Sequence, residues 1–361
     1  MSIKELDKFT IIFRLTFAFV SLFLFVNCTN ESDINRTGYV ASKNIILYIE
    51  GNNDLNSMSD SIVFALMHNS EIRSSSNSYL SIVYDDMDST KIIDVTKGLI
   101  ISYPKQNTLD GKILRKLISK CVDSHPAKEY GIIFWSHGTG WIRTNDTRSF
   151  GYDNGKVINI DELSKYLPIK FDYLIFDACY MSCIEVVAEF KDKCQYIIAS
   201  PEEVPSNGII DTKSMSFLMS DSSLSNRLLF LCNNFKFKFL DYKKEVSLAL
   251  IKTDNIVTLM DEIKNHRPCK LNTDEVSSLN YYVFRNYKLF FDLKDVLDID
   301  GFNDLKFDLK DLVPYKVYSG KVKKEGSGIS IFLPLGNNSI YYSSYKGTYW
   351  NKYTNWLEKF Y

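Results

Sequence analysis

From residue 44 the chain alternates unbroken apolar runs with segments whose apolar residues recur every three or four positions. "NIILYI" (44–49) is followed by Leu55, Met58, Ile62, Ala65 and Leu66 at helical spacing. "YLSIVYDD" (79–86), "TKIIDV" (90–95) and "LIISY" (99–103) read as strands, the last two joined through Lys97 and Gly98 as a hairpin. A helix with Ile113, Leu114, Leu117, Ile118 and Cys121 on one face leads into "YGIIFWS" (130–136). A polar, glycine-rich excursion (138–158), a short helix from Ile160 to Leu167, the strand "DYLIFDA" (172–178), a helix over 180–192 and the strand "QYIIAS" (195–200) follow. Strands that are apolar at every position need cover on both faces, and amphipathic helices between them supply it. The pattern therefore predicts an α/β fold, a mostly parallel sheet flanked by helices on both faces.

The second half is less regular and predicts a smaller irregular C-terminal part. Residues 222–243 read as helix, 245–266 as strand then helix, and "GISIFLP" (328–334) as one more buried strand stopped by Pro334. The aromatic tail "YYSSYKGTYWNKYTNWLEKFY" reads as a packed helix. The division expected is a core over 44–220 and a C-terminal part, 221–361, that completes the fold.

The N-terminus departs from this pattern. Lys4, Lys8 and Arg14 precede the apolar run 15–26, and Cys28 follows. A basic start, a short apolar run and a polar break describe an export signal, too short for a comfortable membrane span. The placement of Cys28 resembles a bacterial lipoprotein signal, which implies residues 1–27 as a signal peptide and Cys28 as the acylated first residue. Residues 28–43 then form a polar tether. The location implied is the cell envelope, through a lipid anchor in the membrane, or secretion.

Composition narrows the partners. Hydrophobic residues are 45% and charged residues 24% of 361, with a net charge of −1, ordinary globular values with no bulk attraction to nucleic acid. Without a dense basic stripe, nucleic-acid binding is not expected. The seven cysteines include no C-x-x-C pair with a matching partner, so no zinc site and no metal is assigned. His68, His125 and His266 read as solvated, and Cys183 as a core thiol.

Two strand ends carry the chemistry. In open parallel sheets, reactive groups gather where strands leave the core at their carboxyl ends. His137 follows the strand 130–135, and Cys179 follows 173–177 at the expected start of a helix, whose N-terminus would favour a thiolate. If the two strands are neighbours, a right-handed crossover brings both side chains to one rim. An imidazole beside a thiol has the parts of a cysteine nucleophile and its acid/base partner. Taken singly, His137 reads as a turn residue and Cys179 as a buried thiol; the pairing separates them from that reading.

"SHGTGW" and "DACYMSCIEV" after successive strands resemble the His-Gly and Ala-Cys motifs of the clan CD cysteine peptidases, and within them the clostripain family. "EGNNDL", "ASPEEVPSNGI" and "GISIFLP" support the resemblance. It implies a caspase-like fold and a cysteine endopeptidase acting on peptides or proteins. Cys179 would be the nucleophile, His137 the general acid, and the backbone N–H groups of Gly138 and Cys179 the oxyanion hole. Asp177 would lie at the S1 pocket and suit Arg or Lys at P1. Asn207 stands where relatives often carry a second acid, with Glu203 and Asp211 the nearest carboxylates. Relatives that cut themselves imply Arg143, Arg148 and Lys156 as self-cleavage points. Some relatives respond to calcium, but Asp146, Asp153 and Asp161 do not have the spacing of a calcium loop, and no cofactor is required. The alternatives are a catalytically silent surface lipoprotein that binds peptide or a partner in the same cleft, and an esterase or transpeptidase using the same dyad.

Overall fold

Ile45, Leu47 and Ile49 turn to one side of the first strand and Ile46 and Tyr48 to the other, and all five are buried. The same alternation splits Ile132 and Phe134 from Ile133 and Trp135, and Leu174 and Phe176 from Tyr173 and Ile175. Two apolar layers thus sandwich the sheet, as the unbroken runs require; burying each such side chain is worth about 1.5–3 kcal/mol.

The computed structural model describes residues 40–143, 149–153, 155–271, 273–285, 287–299, 301–322, 325–335 and 340–360. Cys28, Asp146, Arg148 and the leader lie outside the described residues. Its strands are β1 (Ala41–Glu50), β2 (Ser78–Asp85), β3 (Ser89–Asp94), β4 (Leu99–Pro104), β5 (Ala127–Trp135), β6 (Phe150–Asp153), β7 (Lys156–Ile158), β8 (Phe171–Asp177), β9 (Cys194–Ala199), β10 (Glu245–Lys252), β11 (Tyr281–Phe284), β12 (Tyr287–Asp292), β13 (Tyr315–Gly320) and β14 (Ser330–Ile331). A nine-stranded sheet runs β13-β10-β9-β8-β5-β1-β2-β3-β4. Its centre, from β9 to β2, is parallel, and antiparallel pairs finish both ends.

The C-terminal half extends this sheet through β10 and β13 and adds a small sheet, β11-β12-β14. The run 328–334 is paired only over Ser330–Ile331, shorter than its apolar length predicts. Ile329, Phe332 and Leu333 are buried beyond the ladder. The tail is broken into Tyr342–Lys346, Tyr349–Thr354 and Trp356–Lys359, with Asn355 in the left-handed region at φ 55° turning the chain. Tyr345 meets Trp141 edge-on at 4.8 Å and Phe332 lies 4.9 Å from the same indole, so the tail props the segment that carries His137.

His125 corrects one expectation. It is 4% exposed, holds Asp94 at 2.6 Å and stacks on Tyr79. The six described cysteines are all free, and Cys183 is buried.

Candidate active site

Strands β5 and β8 are neighbours and parallel, with Trp135 opposite Asp177. Two residues beyond each register partner come His137 and Cys179, so the pairing sets them at the same height on one rim. Both line an open cleft of about 440 Å³ together with Gly138, Tyr180, Glu203 and Val204.

The His137 segment is fixed by backbone. Gly151 N–H donates to the His137 carbonyl at 3.0 Å and Thr139 N–H to the Ser149 carbonyl at 3.0 Å. Gly138 pairs with Phe150 between these bonds. In such a ladder the central residue's own N–H points away from the partner strand. A Cβ at Gly138 would sit 2.5 Å from the Cys179 carbonyl oxygen, and one at Gly140, which has φ +62°, would sit 2.7 Å from that of Tyr180. The His-Gly and Ala-Cys segments therefore touch backbone to backbone, and only glycine permits it.

His137 Nε2 lies 2.7 Å from Asp54 Oδ1. Asp54 stands in the loop after β1, where Asn53 is tied to the Glu50 and Tyr152 carbonyls. Sequence reading noticed "EGNNDL" but gave Asp54 no role, because its reach to His137 depends on β1 lying beside β5.

Cys179 is not at a helix start. The helix begins at Ile184; Cys179 and Tyr180 form a turn, and the chain reaches the helix through Cys183, which is extended. Tyr180 N–H donates to Glu202 O and Ser182 N–H to Ser200 O, while Ser330 N–H donates to Ser182 O. Tyr180 takes φ 61°, the left-handed region, to turn the chain immediately after the thiol; for a residue with a Cβ this costs about 1–3 kcal/mol. Its ring stacks on Phe290 and its hydroxyl donates to Val283 O at 2.6 Å, which holds the turn. Without a helix N-terminus beneath it, the thiol is not acidified. Burial pushes Cys179 up to about 11, partly offset by the Val204 N–H that reaches Sγ at 3.3 Å.

Asp177 is 3% exposed and accepts Ile209 N–H at 2.7 Å and Ile210 N–H at 2.9 Å. Burial raises it to about 6 despite these donors. Neither Asp177 nor Asn207 lines the Cys179 cleft. Asn207 borders a separate depression, where Lys238 holds the Asn207 and Gly208 carbonyls. Asp211 caps the helix Thr212–Met219. The carboxylate on the cleft wall is Glu203, paired with Lys244 at 3.2 Å. Arg143 is held by Asp161 at 2.5 Å, whereas Lys156 is exposed at the start of β7. Asp153 is buried against Asn52, apart from Asp161. Among the described residues no group of three His, Cys, Asp or Glu is placed to hold a metal ion.

Set beside known proteins, residues 39–360 match the sequence profile of the clostripain family. The fold is similar to that of a secreted C11 cysteine protease from Bacteroides thetaiotaomicron in complex with an irreversible peptide inhibitor. The identity is 22% and the TM-score 0.74, over 88% of this chain and 99% of that one. It is also similar to an inactive zymogen C11 protease from Parabacteroides distasonis, at 24% identity and a TM-score of 0.73 over the same shares. A comparison with curated protein sequences gives no match.

Proposed function

This chain belongs to the clostripain family and is a cysteine endopeptidase acting on peptides or proteins, and on that premise we propose that His137 and Cys179 carry out the reaction. The observation that supports it is their placement two residues past paired positions of adjacent parallel strands, on one cleft. Cys179 Sγ attacks the scissile carbonyl carbon as its proton passes to His137. The Gly138 and Cys179 N–H groups receive the oxyanion. The imidazolium then protonates the leaving amine, the C–N bond breaks, and an acyl-thioester remains. Water, giving its proton to His137, releases the acid and restores the thiol. Asp54 holds Nε2, which fixes the ring and stabilises the imidazolium.

A preference for Arg or Lys at P1 belongs to this proposal. Glu203, the carboxylate on the cleft wall, supports it, whereas Asp177 and Asn207 lie off that wall. So does export: the run 15–26 and Cys28 support a lipid-anchored envelope location, and among the described residues no helix is long and apolar enough to cross a membrane. Of the basic residues between the two motifs, Lys156 is exposed and favours self-cleavage there over Arg143; Arg148 remains a third candidate.

The test is turnover of peptides differing only at P1 (Arg, Lys or neutral) by the wild-type chain and three variants. Cys179→Ala should lose at least about 1,000-fold and His137→Ala about 100-fold or more. Asp54→Ala should lose about tenfold in kcat. Equal turnover by wild type and Cys179→Ala under reducing conditions would sink the dyad, and equal rates on Arg and neutral P1 the preference. Intact mass of the same membrane-extracted material should show a chain starting at an acylated Cys28. Any cut between 138 and 170 should be missing from Cys179→Ala.

A further inference from the structure

The cleft holding Cys179 does not end at Val204. It continues past Tyr180, Glu203 and Arg285, which border both spaces, into a depression of about 810 Å³. One wall is the chain entering β10 and leaving β13, with Lys243, Lys244 and Lys321; the other is the edge strand β11 with Arg285 beyond it. The lysines stand together because Lys321 N–H donates to Lys244 O at 3.2 Å, joining the two chain segments at the sheet's end. Arg285 is held in a turn at φ 45° with its guanidinium over the Phe284 ring.

Three carboxylates face the same space, and each is engaged. Glu202 accepts the Ser247 hydroxyl at 2.7 Å, and burial raises it to about 7, so much of its charge is quenched near neutrality. Glu203 takes Lys244 at 3.2 Å, and Glu245 has a partner of its own. Lys243, Lys321 and Arg285 have no carboxylate within ion-pair distance among the described residues. The uncompensated charge of the depression is therefore positive, although the whole chain is nearly neutral at −1. A peptide lying across Cys179 and leaving on this side must run over it, because the two spaces are one groove.

We propose that this extension is a substrate subsite for acidic side chains, read by Lys243, Lys321 and Arg285 on one side of the scissile bond. It rests on the peptidase reading and adds to it a flanking specificity. A bound carboxylate also competes with Glu203 for Lys244, which frees Glu203 for a cation at the scissile position, so the two preferences reinforce each other.

The test uses one scissile sequence flanked, on either side in turn, by Ala, Glu or Lys triplets. At about 50 mM salt the Glu-flanked peptide should show about tenfold higher kcat/KM than the Ala-flanked one, on one side only and through KM. The advantage should shrink severalfold at about 500 mM salt, where screening shortens to a few ångströms. In the Lys243→Glu, Lys321→Glu double variant the Glu-to-Ala ratio should fall to about one. Equal kcat/KM for all three flanks on both sides overturns the subsite. Should no peptide be turned over, fluorescence anisotropy on Cys179→Ala decides independently of chemistry. Tighter binding of the Glu-rich peptide, lost in the charge-reversed background, supports the subsite. Equal binding of Glu- and Lys-rich peptides overturns it.

Discussion

Cys179 shows how much a side chain's chemistry depends on a few ångströms of backbone. A thiol at a helix N-terminus is acidified by unpaired N–H groups. Here the helix starts five residues later, and one N–H, from Val204, reaches the sulfur. Burial wins, and the resting group is a thiol pushed up to about 11. Alkylation by iodoacetamide requires the thiolate, whose fraction grows tenfold per pH unit below the pKa. The rate at Cys179, followed by mass spectrometry, should keep rising through pH 10. An ordinary thiol, with a pKa near 8.5, would level off above about pH 9; a plateau there would contradict the assignment. His137 and Cys179 were legible because both follow apolar runs that end abruptly. Asp54 and Glu203 were not, since an acid in a polar loop carries no pattern and its value lies in which strand runs alongside.

At the scale of elements, the two motif segments are registered against each other by glycine. The expected helix over 180–192 fails at its first turn because Tyr180 leaves the helical region and residues 180–183 find backbone partners in 200–202 and in Ser330. Of these four residues only Met181 is a strong helix former, so little local preference opposes the ladder on both sides. Gly140 takes φ +62° with the Tyr180 carbonyl behind it. Gly140→Ala adds about 1–2 kcal/mol of left-handed strain and pushes the two segments apart. It should lower the denaturation midpoint and reduce kcat more than KM. A variant with wild-type kcat and stability would show that the close contact is not required. The strands β11, β12 and β13 escaped sequence reading for a related reason: their aromatic and basic residues alternate weakly, and two of them belong to a three-stranded sheet completed by the two-residue β14.

Over the whole molecule, buried acids tie the C-terminal part to the catalytic core. Glu185 follows the Cys179 segment, is fully buried, and accepts Phe332 N–H at 3.0 Å and the Tyr345 hydroxyl at 2.7 Å. Burial raises it to about 7; Glu202 likewise reaches about 7 and Asp177 about 6. Each is raised above its unfolded value, so the folded state holds protons that the unfolded chain has released. That contribution is complete below about pH 4 and is lost as pH rises through 6 to 7. The melting temperature should therefore fall between about pH 5 and pH 7.5. Glu185→Gln should flatten the slope, by roughly 1–3 kcal/mol across the window. A wild-type melting temperature that rises over this range would overturn the sign.

The sequence by itself determined the sandwich and the two strand ends. Continuous apolar runs of strand length have no stable home except a sheet covered on both faces, and a histidine and a cysteine just past two such runs must stand at its rim if the strands are neighbours. Tertiary structure decided what the rim does. It decided that Cys179 sits in a turn and not at a helix start, that Asp54 meets His137, and that Asp177 spends its carboxylate on Ile209 and Ile210 while Glu203 faces the cleft. It also gathered lysines 243 and 321 and Arg285 along one groove. The physical reason is common to all of these. Periodicity records which side of an element is buried, a property of single segments. The environment of a charge or a thiol is set by residues tens of positions away, brought close only when the sheet orders its strands.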